Sequence, residues 1–339
     1  MYVDSKGRET AVICVTPIKN EDWILDRFLT LASEWADYII IADQCSDDRS
    51  PEIAKSFEKV IYVLNEGEFD EQNRSQLLLN EVRRIKAAKK LIVCLDADEA
   101  LTLNWDKSED WKLMLEANPK AIFSFNWINL ISKNRELAIN IPKTKLAYID
   151  DNVSTFDLDI TFHAPRYPNI KYPKLIELSN IGVLHFQYLA TNRYYQKNSW
   201  YQIKEVIDKK NKNFIGIFRA YHKHINPDEN NLIKLDPLWV KSGNFDLNVF
   251  EIEDKSLNWY GKDVISLLTK YGAKKFKLLN IWDFDWNTPN IRINKSKDEI
   301  KDPRSAFIKY IHTWLNNTQQ KQKKITVRIL QKLIYVLYK

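Results

Sequence analysis

Four short apolar runs alternate with amphipathic stretches over the first hundred residues, and this alternation constrains the fold more than any other feature. Ala11–Thr16, Tyr38–Ala42, Val60–Leu64 and Leu91–Leu95 are rich in β-branched and aromatic residues and read as strands. A helix is expected from near Asn20, with Glu21 and Asp22 in its first turn and Ile24, Phe28, Leu31 and Trp35 on one stripe. Ser50-Pro51 forms an N-cap and N1 pair opening a short helix to Phe57. Leu77, Leu78, Val82 and Ile85 mark a longer helix before the basic run Lys86–Lys90. Strands alternating with helices predict an α/β fold with a mostly parallel sheet and helices on both faces. Right-handed crossovers then bring Thr16–Glu21, Asp43–Ser50 and Asp96–Glu99 to one edge of that sheet.

The last of these loops carries the chemistry. Leu91–Leu95 ends abruptly in Asp96-Ala97-Asp98-Glu99. The i, i+2 spacing puts Asp96 and Asp98 on one face of an extended chain. Two carboxylates that close repel and raise each other's pKa unless a cation lies between them. A divalent ion carrying a phosphorylated substrate suits such a pair, because Mg²⁺ takes one or two carboxylates plus phosphate oxygens. A solvated acidic turn is the plainer reading. The 7 glycines form neither a G-x-G-x-x-G fingerprint nor a G-x-x-x-x-G-K-[ST] loop, so phosphate must be held by side chains and metal.

Composition is that of an ordinary soluble protein, 45% hydrophobic and 28% charged over 339 residues. A net charge of +6 is too small to argue for nucleic acid. Cys14, Cys45 and Cys94 form no C-x-x-C pair and read as buried, reduced thiols. The first residues lack the apolar core of a signal peptide, and no apolar run is long enough to span a bilayer. A cytoplasmic location is expected.

After residue 100 the pattern changes. Ala121–Leu130 and Ile181–Tyr188 read as strands, and Phe156–Phe162 alternates, with Asp157, Asp159, Thr161 and His163 on its polar side. From Thr191 the chain turns helical and dense in Tyr, Trp and Lys. The segment from Lys321 is a basic amphipathic helix, with Ile325, Ile329, Leu333 and Leu337 on one stripe and Lys324, Arg328 and Lys332 opposite. Such a helix lies on an anionic membrane surface or docks on the protein's own core.

Taken together, these loops resemble the family 2 glycosyltransferases and their GT-A fold. Thr16-Pro17-Ile18-Lys19-Asn20-Glu21 looks like the family's first-strand motif. Asp43, Ser46, Asp48 and Ser50 fall on its D-x-x-S-x-D-x-[ST] loop, and Asp96-Ala97-Asp98 on its D-x-D motif. Arg74 stands where the family places a donor-facing arginine or asparagine. The form with Glu99 is similar to bacterial transferases that build lipopolysaccharide cores and capsules. The resemblance covers the N-terminal third strongly and then weakens.

It implies that Thr16 and Pro17 line the nucleotide pocket, that Asp43 accepts a hydrogen bond from the base, and that Arg74 contacts base or diphosphate. Asp96 would reach the ribose or a metal-bound water, while Asp98 coordinates Mn²⁺ or Mg²⁺. His185 is similar to the extra metal ligand of some GT-A enzymes; a satisfied core histidine is the alternative. Asp43, Ser46 and Asp48 also suit a plain turn-stabilising role. The family's downstream acidic motif for the base has no clear match, and Asp159 is the candidate, with Glu99 a rival.

The expected organisation is a GT-A domain over 1–200 (nucleotide-binding half 1–100, acceptor half 101–200), a mostly helical region 201–318, and the tail helix 319–339. The implied activity moves a sugar, with inversion, from a nucleotide-sugar donor to a polysaccharide or lipid-linked glycan. The tail would touch the inner membrane, and no nucleic acid is involved. The rivals are a sugar-phosphate nucleotidyltransferase, disfavoured by the missing Gly in Thr16–Glu21, and a dehalogenase-like phosphatase, disfavoured because Asp96-Ala97-Asp98 follows the fourth strand. A third is an inactive GT-A-like scaffold.

Overall fold

The structure is a computed structural model describing residues 9–66, 70–131, 137–156, 165–208, 213–221, 232–243, 245–247, 257–287 and 300–338. Its elements, in chain order, are β1 (Thr10–Ile18), α1 (Leu25–Trp35), β2 (Tyr38–Asp43), α2 (Ser50–Lys55), β3 (Val60–Leu64), α3 (Glu71–Arg84) and β4 (Lys89–Cys94). Next come β5 (Glu99–Leu101), α4 (Glu109–Glu116), β6 (Ala121–Leu130), β7 (Leu137–Ile149) and β8 (Lys174–His185). The remaining helices are α5 (Thr191–Ile207), α6 (Phe214–Tyr221), α7 (Pro237–Val240), α8 (Trp259–Tyr271), α9 (Ala306–Asn317) and α10 (Ile325–Leu337). The chain divides into two compact units, residues 1–189 with 233–253, and residues 190–232 with 254–339.

The first unit is built on a sheet in the order β3-β2-β1-β4-β7-β6-β8-β5. The pairs β1–β2, β2–β3 and β1–β4 are parallel, as the alternation predicts. The sheet as a whole stays mostly parallel, as expected, with its antiparallel pairs confined to the second half. β7 is antiparallel to β4 and β6, β5 is antiparallel to β8, and β6 runs parallel to β8. The cause is the short connection between β6 and β7, which can join only antiparallel neighbours. The result is a mixed α/β sheet.

Residues 10–16 of β1 are buried one after another, which requires cover on both faces. On one face Ala11, Ile13 and Val15 pack with Ile40, Ile92 and the α3 residues Leu78, Leu79 and Val82. Helix α1 buries Leu25, Phe28, Leu29, Ala32 and Trp35, none of which belongs to that cluster. It begins five residues after the expected start at Asn20, because Asn20 adopts φ 55°, a left-handed conformation that interrupts a helix. Since β1 has β2 on one side and β4 on the other, strand order reverses at β1. The carboxyl ends of β1 and β4 therefore flank the switch point where open α/β sheets bind ligands.

The second unit is helical. Trp200 and Ile203 of α5, Ile217 of α6 and Tyr260, Val264 and Leu268 of α8 form one apolar cluster with Phe276, Trp282 and Trp286. Trp200 donates its indole N–H to Asp263 at 2.6 Å and meets Tyr260 edge-on at 5.7 Å. This aromatic density is packing.

Candidate active site

Two of the three convergent loops are stitched together by the side chains of the second. Asp43 is fully buried at the end of β2. Its Oδ1 accepts from the Ser46 amide at 3.0 Å and the Ser46 hydroxyl at 2.6 Å, and its Oδ2 from Tyr62 Oη at 2.5 Å. Burial and that bond hold the Tyr62 phenol above its ordinary range. Ser46 Oγ then accepts from the Asn20 amide at 2.8 Å, Asp48 from the Asp22 amide at 3.1 Å and Ser50 from the Glu21 amide at 2.8 Å. Asn20 and Asp47 exchange a reciprocal pair of 2.7 and 2.8 Å. Each polar position of Asp43-x-x-Ser46-x-Asp48-x-Ser50 thus acts in joining the loops, the three distal ones capping consecutive amides ahead of α1. Cys45, at φ 53°, is exposed, which corrects the expectation that all three thiols are buried. Its side chain projects outward because the tight loop needs its backbone, not its sulfur, at that corner.

The acidic turn contains its own cation. Arg166, from the irregular segment after residue 164, places one guanidinium nitrogen 2.6 Å from Asp96 Oδ2 and the other 2.5 Å from Glu99 Oε2. The Cys94 carbonyl accepts from the same group at 3.3 Å. Glu99 also accepts from the Asp96 amide at 2.9 Å, closing the turn. The Glu99 side chain is 0% exposed, against 39% for Asp96. Burial pushes the Glu99 carboxyl upward, Arg166 opposes this and Asp96 adds to it. Burial alone would depress Arg166, but the charges of Asp96 and Glu99 outweigh it and hold the guanidinium protonated. The repulsion expected between neighbouring acids is therefore relieved by an arginine at Asp96 and Glu99.

Asp98 faces the other way. Its Oδ2 lies 3.5 Å from His185 Nε2, and both residues are buried. Strand register makes this contact, since β8 places His185 opposite Glu99 of β5 and opposite Asn129 of β6. His185 Nδ1 lies 2.9 Å from Asn129 Oδ1 and 3.3 Å from Gln187 Nε2. A proton on Nε2, or a cation between the two groups, would join them. Trp127 stacks on the imidazole at 5.2 Å, and the Arg166 guanidinium lies 5.9 Å from the same indole. Among the described residues no group of three or more His, Cys, Asp or Glu side chains is arranged to hold a metal. Asp98 and His185 nevertheless fit a cation that takes its remaining ligands from substrate oxygens.

The structure thus gathers Asp96, Asp98 and His185 with Arg166 at the β4 end. Thr16 and Pro17 lie near the end of the adjoining strand β1, where Val15 pairs with Cys94 and the Leu95 amide bonds to the Val15 carbonyl. Arg74 is half-buried in the first turns of α3, whose N-cap is Asp70. Asp159, with Asp157 and His163, lies outside the described residues; Phe156, before them, is buried against the α3 cluster. Arg166, Asn129, Trp127 and Tyr62 were not anticipated. Arg166 stands between Pro165 and Tyr167-Pro168 in a stretch without periodicity, and nothing local ties it to Asp96.

No protein-family model and no curated protein matches the sequence. Solved structures similar to it include a mycobacterial protein (14% identity, TM-score 0.27, 37% of this chain and 42% of that one). A mannose-1-phosphate geranyltransferase from Thermus thermophilus matches at 14% identity and TM-score 0.27, over 41% of this chain and 50% of its own. An inositol-1-phosphate CTP transferase from T. maritima matches at 8% identity and TM-score 0.30, over 53% of this chain and 89% of its own. This chain spans half or less of the first two. At such values the description of the fold rests on the strand order itself.

Proposed function

We propose that this chain is a GT-A-type glycosyltransferase that moves a sugar from a nucleotide donor to a polysaccharide or lipid-linked glycan. The observation that supports this most is the Asp98–His185 pair beside an Arg166-neutralised Asp96, at the carboxyl ends of β4 and β8 and next to the switch point. Departure of a nucleoside diphosphate from an anomeric carbon develops negative charge, and fixed positive groups there lower the barrier. Asp98 and His185 would hold a divalent ion, Mn²⁺ or Mg²⁺, which when bound neutralises the diphosphate. Arg166 holds the Asp96 carboxylate in place, so that Asp96 would accept from a donor hydroxyl. Thr16, Pro17, Asp43 and Arg74 are proposed as the donor pocket, although the Asp43 oxygens already serve the loop junction. Asp159 is the proposed base that removes the acceptor proton. The reaction would invert the anomeric centre, in the cytoplasm, on an acceptor presented at a membrane surface.

Incubation with a panel of nucleotide sugars and Mn²⁺ tests this reading. Donor turnover by the full chain, lost in Asp98→Ala while its melting curve is kept, is the expected result. Pyrophosphate release from a nucleoside triphosphate and a sugar phosphate would instead assign nucleotidyl transfer, and no turnover with any donor would favour the scaffold.

A further inference from the structure

Helix α10 has two apolar faces, and the protein's own core covers only one. Val327 and Ile334 are buried, and Ile334 joins Ile215 and Phe218 of α6 and Ile311 and Leu315 of α9 in one cluster. At 3.6 residues per turn, Ile325, Ile329, Leu333 and Val336 project on the opposite side. They are 74%, 55%, 57% and 72% exposed, and Leu337 at their margin is 67% exposed. The apolar stripe is therefore exposed, while docking runs through the residues between. Single exposed apolar side chains are ordinary, whereas five neighbouring ones on one helix form a contiguous apolar patch that calls for an explanation.

Charge identifies the occupant. Residues 321–339 hold Lys321, Lys323, Lys324, Arg328, Lys332 and Lys339 and no acid. These six equal the whole chain's net charge of +6, so residues 1–320 are electrically balanced and the entire excess sits here. Lys324, Arg328 and Lys332 recur every four residues along one border of the exposed arc, beside the apolar stripe rather than opposite it as the spacing suggested, and all three are exposed. A second copy would bring two such segments of like charge together. An anionic lipid surface matches both the apolar arc and its basic border. At 13 residues the helix is too short to cross a bilayer core of about 30 Å.

We propose that α10 lies in the plane of an anionic bilayer surface, with Ile325, Ile329, Leu333, Val336 and Leu337 below the headgroups and Lys324, Arg328 and Lys332 against lipid phosphates. This surface stands independently of the transfer reaction. Co-sedimentation of the full chain with phosphatidylcholine vesicles, with and without about one-third phosphatidylglycerol, tests it. Binding is expected to the anionic vesicles only. The triple variant Lys324→Gln, Arg328→Gln, Lys332→Gln should lower partitioning about 100-fold. Ile329→Asp with Leu333→Asp should abolish it, with the circular dichroism melt unchanged because both side chains are exposed. Absence of wild-type binding, equal binding to neutral vesicles, or full retention by either variant would overturn the proposal. So would a dimer in sedimentation velocity that Ile329→Asp with Leu333→Asp disperses, since the occupant would then be a second copy.

Discussion

The Glu99 carboxylate has lost its contact with water, yet it sits beside a second acid and depends on Arg166 for compensation. Removing one partner of a buried ion pair leaves an uncompensated charge, which costs more than the pair contributes. Arg166→Ala should therefore destabilise the protein by about 3 kcal/mol, the low end of the range because Arg166 is itself partly exposed. Adding Glu99→Gln should restore part of this, since a neutral amide carries no charge to leave unpaired. Urea unfolding of the single and double variants checks both. Tyr62 presents a second case, donating to the fully buried Asp43. Tyr62→Phe should cost about 1.5–3 kcal/mol, as for other bonds to a charged acceptor, measured the same way. At this scale the sequence located the acidic turn. It did not show their partners, because Arg166 and Asp96 are 70 residues apart and no local periodicity links them.

Among elements, the junction of the loops after β1 and β2 is made by side chain to backbone bonds that replace a conventional N-cap, since Ile24 provides none for α1. Ser50→Ala removes the acceptor of the Glu21 amide. It should cost about 1 kcal/mol, like loss of a cap, and speed hydrogen exchange at Glu21. The loop after β7 shows the same device with a pH consequence. Burial alone would raise Asp151, but the amide and hydroxyl of Ser154 and the amide of Val153 outweigh it and hold the carboxyl below its ordinary value. A depressed folded-state pKa contributes stability that is present above about pH 4 and is lost as pH falls through the folded value. The urea midpoints of wild type and Asp151→Asn should differ at neutral pH and converge as pH falls through the folded-state value. Strands β1 to β4 were readable because each is short, apolar and bounded by turn residues. β5 was not, since three residues carry no period.

Over the whole molecule, burial separates the three thiols. Cys14 lies within β1, and its thiol is held well above its ordinary value by burial and by Cys94; burial pushes Cys94 up to about 12. Native protein should therefore react with a thiol reagent at exposed Cys45 alone, and at all three after denaturation. Labelling of Cys14 in native buffer at the rate of Cys45 would contradict the described packing. The α/β class, the convergence of three loops at one sheet edge, the acidic turn and the basic amphipathic last helix followed from sequence alone. Each depends on periodicity, turn chemistry or charge, which neighbouring residues carry between them. The mixed sheet, the Arg166 clamp, the alignment of Glu99, His185 and Asn129, and the face by which α10 docks were decided only in three dimensions. Each of these requires residues distant along the chain to share one environment, and burial and strand register, rather than local pattern, bring them there. The Asp96-Ala97-Asp98-Glu99 turn shows the division most plainly. Its acids called for a cation, and the fold placed an arginine beside Asp96 and Glu99 and a histidine beside Asp98.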